Sequence, residues 1–119
     1  MQPNILLITA HDLGTFVGCY GHPIPTPNLD ALAAGGVRLA KHFSTSTVCS
    51  PARGALMTGL YPHSNGLMGL VHRGWALDVP RVTHLSRLLE DRGFESHLFG
   101  FQHEHYDAKA LGYREFHQT

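Results

Sequence analysis

The chain has little cysteine, no excess charge of either sign and no long apolar run, and each shortage excludes something. Two cysteines, Cys19 and Cys49, do not make the spaced framework of a disulfide-stapled domain. Nine Lys plus Arg balance nine Asp plus Glu. That balance offers no basic stripe to nucleic acid and no charge to draw the chain to a membrane surface. No segment approaches the roughly 18 apolar residues of a membrane-spanning helix. Met1-Gln2-Pro3-Asn4 runs straight into an apolar stretch, without the basic start and apolar centre of an export signal. As written, the sequence therefore predicts a cytoplasmic chain with neither nucleic acid nor membrane as partner. Histidine, by contrast, is abundant, at ten residues. Most of these fit loops, and a few could serve metal or proton chemistry.

The periodicities are those of an α/β fold, a mostly parallel sheet flanked by helices. Ile5-Leu6-Leu7-Ile8, within 4–9, is an uninterrupted apolar run and predicts a strand buried on both faces. His11-Asp12-Leu13-Gly14 follows at its carboxyl end, where ligands bind in open α/β sheets. Thr26 is a candidate N-cap with Pro27 at the first helical position. Leu29, Leu32 and Ala33 then make an apolar face, ended by Gly35-Gly36. Residues 37–43 predict a short strand. Residues 60–82, rich in Gly, His and Pro, predict irregular structure. Thr83 is placed to cap a helix to about Arg92, with Gly93 as its stop, and 94–99 predicts a parallel strand ending at Gly100.

The stretch that could carry chemistry is Val48-Cys49-Ser50-Pro51-Ala52-Arg53-Gly54. Pro51 predicts a helix from about 51 to 58 with Gly59 as its stop, leaving Cys49 and Ser50 at its mouth. A helix mouth presents free N–H groups and the positive end of the dipole, which suits an anion. Arg53 lies four residues after Cys49, on the neighbouring turn. Cys49 could be a buried apolar cysteine or a thiolate activated by the helix and Arg53. Asp12 could ligate a hard cation or cap its own turn.

Cys49-x-Pro51-x-Arg53 resembles the nucleophile motif of the formylglycine-dependent sulfatases, which share the alkaline-phosphatase-like fold. The resemblance extends to Pro3–Asp12, Thr26–Ala33 and Thr58–Gly66. Cys49-Ser50-Pro51 and Asn65-Gly66-Leu67-Met68-Gly69-Leu70 are most similar to the N-sulfoglucosamine sulfohydrolase (sulfamidase) branch. The resemblance implies that Cys49 is oxidised to formylglycine by a maturation enzyme. It also implies a divalent metal, Ca²⁺ by family, with Mg²⁺ or a transition metal as alternatives. The metal would be held by Asp12, formylglycine at Cys49 and His11, and the substrate would be a sulfated small molecule or saccharide. Residues 1–119 would form the N-terminal part of a longer catalytic domain, with further ligands later in the chain. Taken alone, they would have little or no activity.

Two positions depart from the family pattern. His11 stands where an Asp is usual, and imidazole suits transition metals better than Ca²⁺. Gly100-Phe101-Gln102-His103 stands in place of Gly-Lys-x-His. It keeps the His that steadies the nucleophile and loses a Lys that contacts sulfate. His103-Glu104-His105 also admits a zinc reading, although residues two apart do not share a helix face. Related phosphonate monoester and phosphodiester hydrolases, and a non-catalytic degenerate relative, are the alternatives.

Overall fold

The computed structural model describes residues 3–117. They belong to two compact units, Met1–Phe43 and Ser44–Thr119.

The first unit is built on α1, Pro27–Gly35, preceded by a 3-10 turn at Gly18–Tyr20. Thr26 takes the N-cap position and Pro27 the first turn, as expected. The Thr26 hydroxyl ties the helix to the 3-10 turn instead of capping it. It accepts the Gly18 N–H at 2.8 Å and donates to Asp30 Oδ1 at 3.0 Å. A Cβ at position 18 would lie 2.6 Å from Asp30 Oδ2, so any larger residue there would have to displace the Asp30 carboxylate from its bond to Thr26.

The two strands expected in this unit do not form. Ile5, Leu6, Leu7 and Ile8 are exposed, as are Val37, Leu39 and Phe43. The physical reason is pairing. A strand's N–H and C=O groups need a neighbouring ladder, and among the described residues neither segment has one. The apolar face expected on α1 is likewise exposed at Leu29 and Leu32.

The second unit holds α2 (Cys49–Thr58), α3 (Pro62–Asn65), α4 (Leu85–Glu90), β1 (His97–Phe99) and β2 (Glu115–His117). Its core is Leu67, Leu77 and Leu111, flanked by Val71, Val79, Val82 and Tyr113. Burial of each leucine contributes about 1.5–3 kcal/mol. α2 starts two residues earlier than expected, so Pro51 lies inside its first turn. The N–H groups of that turn have no intrahelical acceptor, and proline forfeits nothing there. Gly59 ends the helix with φ 68°, its N–H on Ala55 O at 2.8 Å.

Asn65 clamps the far end of α2. Its amide donates to Thr58 Oγ1 and Leu60 O, and its carbonyl accepts the Leu67 N–H at 2.9 Å. α4 is shorter than expected and is capped by His84, not Thr83; the Ser86 N–H donates to His84 Nδ1. β1 and β2 pair in parallel, with Leu98 opposite Phe116. The link between them must be long, and it carries the segment 101–104 past the carboxyl end of β1. Among the described residues, no helix is long and apolar enough to cross a membrane.

Candidate functional site

Cys49 is the first residue of α2 and is half-buried, following an extended Val48. Its position is fixed by the residues after it. Ser50 and Pro51 are both buried, and Ser50 Oγ accepts the Val71 N–H at 3.3 Å. Cys49 therefore sits at the positive end of the helix, where an anion is favoured. Both cysteines are free thiols.

Arg53 follows on the next turn. Its guanidinium carbon lies 4.8 Å from the centroid of the Phe101 ring. That ring in turn packs against His103, with centroids 4.8 Å apart and planes tilted by 45°. The structure thus brings Arg53, Phe101 and His103 into one column. Two come from the segment just beyond β1, where α/β sheets place ligands.

Beneath the column the loop is tightly tied. Gln102 Oε1 accepts the N–H groups of Glu104 and His105, at 2.8 and 3.0 Å. The Gln102 side-chain amide donates to His105 O. Glu104 O accepts the Leu77 N–H at 2.8 Å, joining the loop to the core. The Glu104 side chain is 2% exposed, and its Oε2 accepts the His103 N–H at 2.8 Å. Burial pushes its carboxyl above the usual carboxylate range, while the Arg53 charge and the N–H groups it accepts pull it back. Tyr113 is held well above an ordinary phenol, by burial first and by Glu104 second. Sequence reasoning missed the roles of Glu104 and Tyr113. A carboxylate one residue after His103 was the only available signal.

The other expected ligands are placed differently. Asp12 adopts a left-handed backbone, φ 55°, with its side chain open to solvent. His11 Nε2 lies 3.5 Å from Asp12 Oδ2. These two belong to the first unit, and Cys49, Arg53 and His103 to the second. Among the described residues, no three His, Cys, Asp or Glu side chains are grouped to hold a metal ion. Among the described residues no such group includes His103 and His105, and His105 Nδ1 accepts the Asp107 N–H at 3.0 Å, within its own loop. His63 stacks on Tyr61, and His72 sits exposed in a 3-10 turn.

The family model for sulfatases matches residues 3–118. Human steryl-sulfatase is 40% identical over 112 residues, which cover 86% of this chain and 19% of that protein. Human arylsulfatase A is 43% identical over 107 residues, 85% of this chain and 21% of that protein. The crystal structure of yidJ from Bacteroides fragilis, assigned as a sulfatase, superimposes with a TM-score of 0.64 at 31% identity. That match covers 77% of this chain and 21% of the other. The chain thus spans about a fifth of the length of the relatives it matches. With its α/β elements, its parallel strand pair and this likeness from end to end, the chain belongs to the sulfatase family.

Proposed function

We propose that this chain is the N-terminal part of a catalytic domain whose full-length form hydrolyses sulfate esters or N-sulfates, on saccharide substrates. The observation that carries the reading is the seat of Cys49 at the start of α2, with Arg53 one turn on and stacked above Phe101 and His103. Cys49, converted to formylglycine, is the nucleophile. The hydrate would supply one hydroxyl to attack sulfur as the S–O or S–N bond to the substrate breaks and the alcohol or amine leaves with a proton. Deprotonation of the second hydroxyl would then break the C–O bond to sulfate and re-form the aldehyde. Arg53 balances the sulfate charge with a planar fork of donors. His103 steadies the nucleophile.

A divalent metal would lower the pKa of the attacking group and hold sulfate oxygens. Asp12 fits that task, because its carboxylate is open and is a hard oxygen donor. His11 fits Ca²⁺ poorly: its imidazole is a nitrogen donor and already faces Asp12. The remaining ligands of a complete site would come from outside this chain.

The names of the relatives, steryl-sulfatase and arylsulfatase A, favour an O-sulfate ester. The N-sulfate reading rests on Cys49-Ser50-Pro51 and residues 65–70. Ser50 and Asn65, two residues of those segments, are buried and accept hydrogen bonds from backbone N–H groups, so they tie the fold together there.

The test is to express the chain with a formylglycine-generating enzyme and weigh the tryptic peptide that ends at Arg53. Conversion lowers its mass by about 18 Da, the change from CH₂SH to CHO on the nucleophile. An unmodified thiol would favour a non-catalytic relative. On the full-length protein, an aryl sulfate, an N-sulfated glucosamine and an aryl phosphodiester assayed side by side separate the three hydrolase readings. The chain by itself should turn over none of them.

A further inference from the structure

Glu104 is an expensive residue where it stands. It is a carboxylate with 2% exposure, beside a core of leucines. Burying a charge is costly unless partners repay it. Its partners here are the His103 N–H, at 2.8 Å, and the electrostatic pull of Arg53 from α2. Tyr113, on the segment leading into β2, adds a third group that feels its charge. The loop would stay tied without the carboxylate, since Gln102 and the Leu77 N–H hold the backbone on either side.

We propose that Glu104 is a positioning residue for an oxyanion. Its buried carboxylate fixes the backbone of His103 and the Arg53 guanidinium above Phe101, so that both face one tetrahedral anion. This rests on the reading of Arg53 and His103 as the anion-binding pair. The arrangement suits a chain that carries Phe101 where the family has Lys. With one cation fewer, the remaining guanidinium must be oriented rather than merely near. Phe101 supports it from one face, and the Glu104 charge attracts it.

The test uses the chain itself, inorganic sulfate as probe, and NMR of the Arg53 Nε–H and His103 ring signals. Glu104→Gln keeps an acceptor for the His103 N–H and removes the charge. Glu104→Met removes both, and it fills the site with apolar volume should the amide not fold. Either variant, with the methyl signals of Leu67, Leu77 and Leu111 unchanged, should move the Arg53 signal toward that of a free side chain. It should also weaken sulfate binding by roughly fivefold, the scale of releasing one rotamer-rich side chain. Glu104→Asp should restore part of both. In the unaltered chain, the Arg53 signal should follow the Glu104 carboxyl through its titration. An Arg53 signal that ignores both variants, or does not track that titration, would overturn the proposal. If the unaltered chain binds no sulfate while Arg53 still responds to Glu104, the positioning stands and the anion-site reading falls.

Discussion

Arg53 and Phe101 are stacked, guanidinium over ring, with 4.8 Å between the guanidinium carbon and the centroid. The contact joins α2 to the segment beyond β1, with Phe101 at the position where the family resemblance gives a lysine. A cation over an aromatic face is worth about 0.5–1 kcal/mol at a partly exposed site. The chain therefore exchanges a second positive charge for a support under the first.

Phe101→Lys tests that exchange. The variant adds a cation beside Arg53 and removes the ring. Sulfate binding should tighten, roughly three- to tenfold, because two cations share one anion. Stability should fall by about 1 kcal/mol, since the stacking is lost and two like charges are neighbours. Isothermal titration with sulfate and a urea melt read the two effects separately. Weaker sulfate binding in a folded variant would mean that the ring itself contributes to the anion site.

Gly54 lets α2 approach the core closely. A Cβ at this position would lie 2.9 Å from Leu67 Cδ2 and 3.4 Å from the Asn65 amide. Leu67 is fully buried and Asn65 is committed to three hydrogen bonds, so neither can move aside freely. Alanine is the better helix former, yet Gly54→Ala should destabilise the second unit by about 1–3 kcal/mol, the usual cost of overpacking. A urea midpoint equal to or above that of the unaltered chain would show that α2 can slide on its bed.

The same region shows what was legible in the sequence. Gly59 and Gly93 mark the ends of their segments because a left-handed residue is a local requirement that one residue type meets. Pro51 marked α2 correctly and its start wrongly, since proline is equally at home throughout the first turn. Cys49 and Arg53 were placed by helical spacing alone. The apolar run at Ile5–Ile8 misled for the opposite reason. It states that a strand would be buried, but a strand forms only when another supplies its ladder, and that is not a local property. Glu104 was hidden because its surroundings, the Arg53 charge from far away in sequence and the depth at which the loop lies, are not local properties.

Glu104→Gln should also reveal the sign of the buried charge. Its carboxyl is pushed up by burial, so ionising it costs more in the folded chain than in the unfolded one. For such a group stability is greatest below the ordinary carboxylate pKa and declines as pH rises through the folded one. The neutral amide removes that decline. Glu104→Gln should therefore be at least as stable as the unaltered chain at pH 7 while it loses sulfate affinity. Urea midpoints at pH 5 and pH 7 check this. A variant destabilised at both would make the carboxylate a structural asset rather than a cost.

His84 has the reverse dependence. It is 1% exposed, accepts the Ser86 N–H through Nδ1, and among the described residues has no hydrogen-bond partner for Nε2. Burial, with Arg87 adding repulsion, lowers its pKa from 6.5 to about 4. Tyr113, packed edge-on at 5.5 Å, offers a ring and no counter-charge. Between those two values the unfolded chain binds the proton and the folded chain does not. Stability must then fall as pH drops from about 6.5 toward 4, by on the order of 3 kcal/mol for this one group. His84→Asn keeps a side-chain acceptor for the Ser86 N–H and does not titrate. Its urea midpoint should change far less across that window than the unaltered chain's. An equal slope in both proteins would place the acid sensitivity elsewhere, and His84 would then be only the cap of α4.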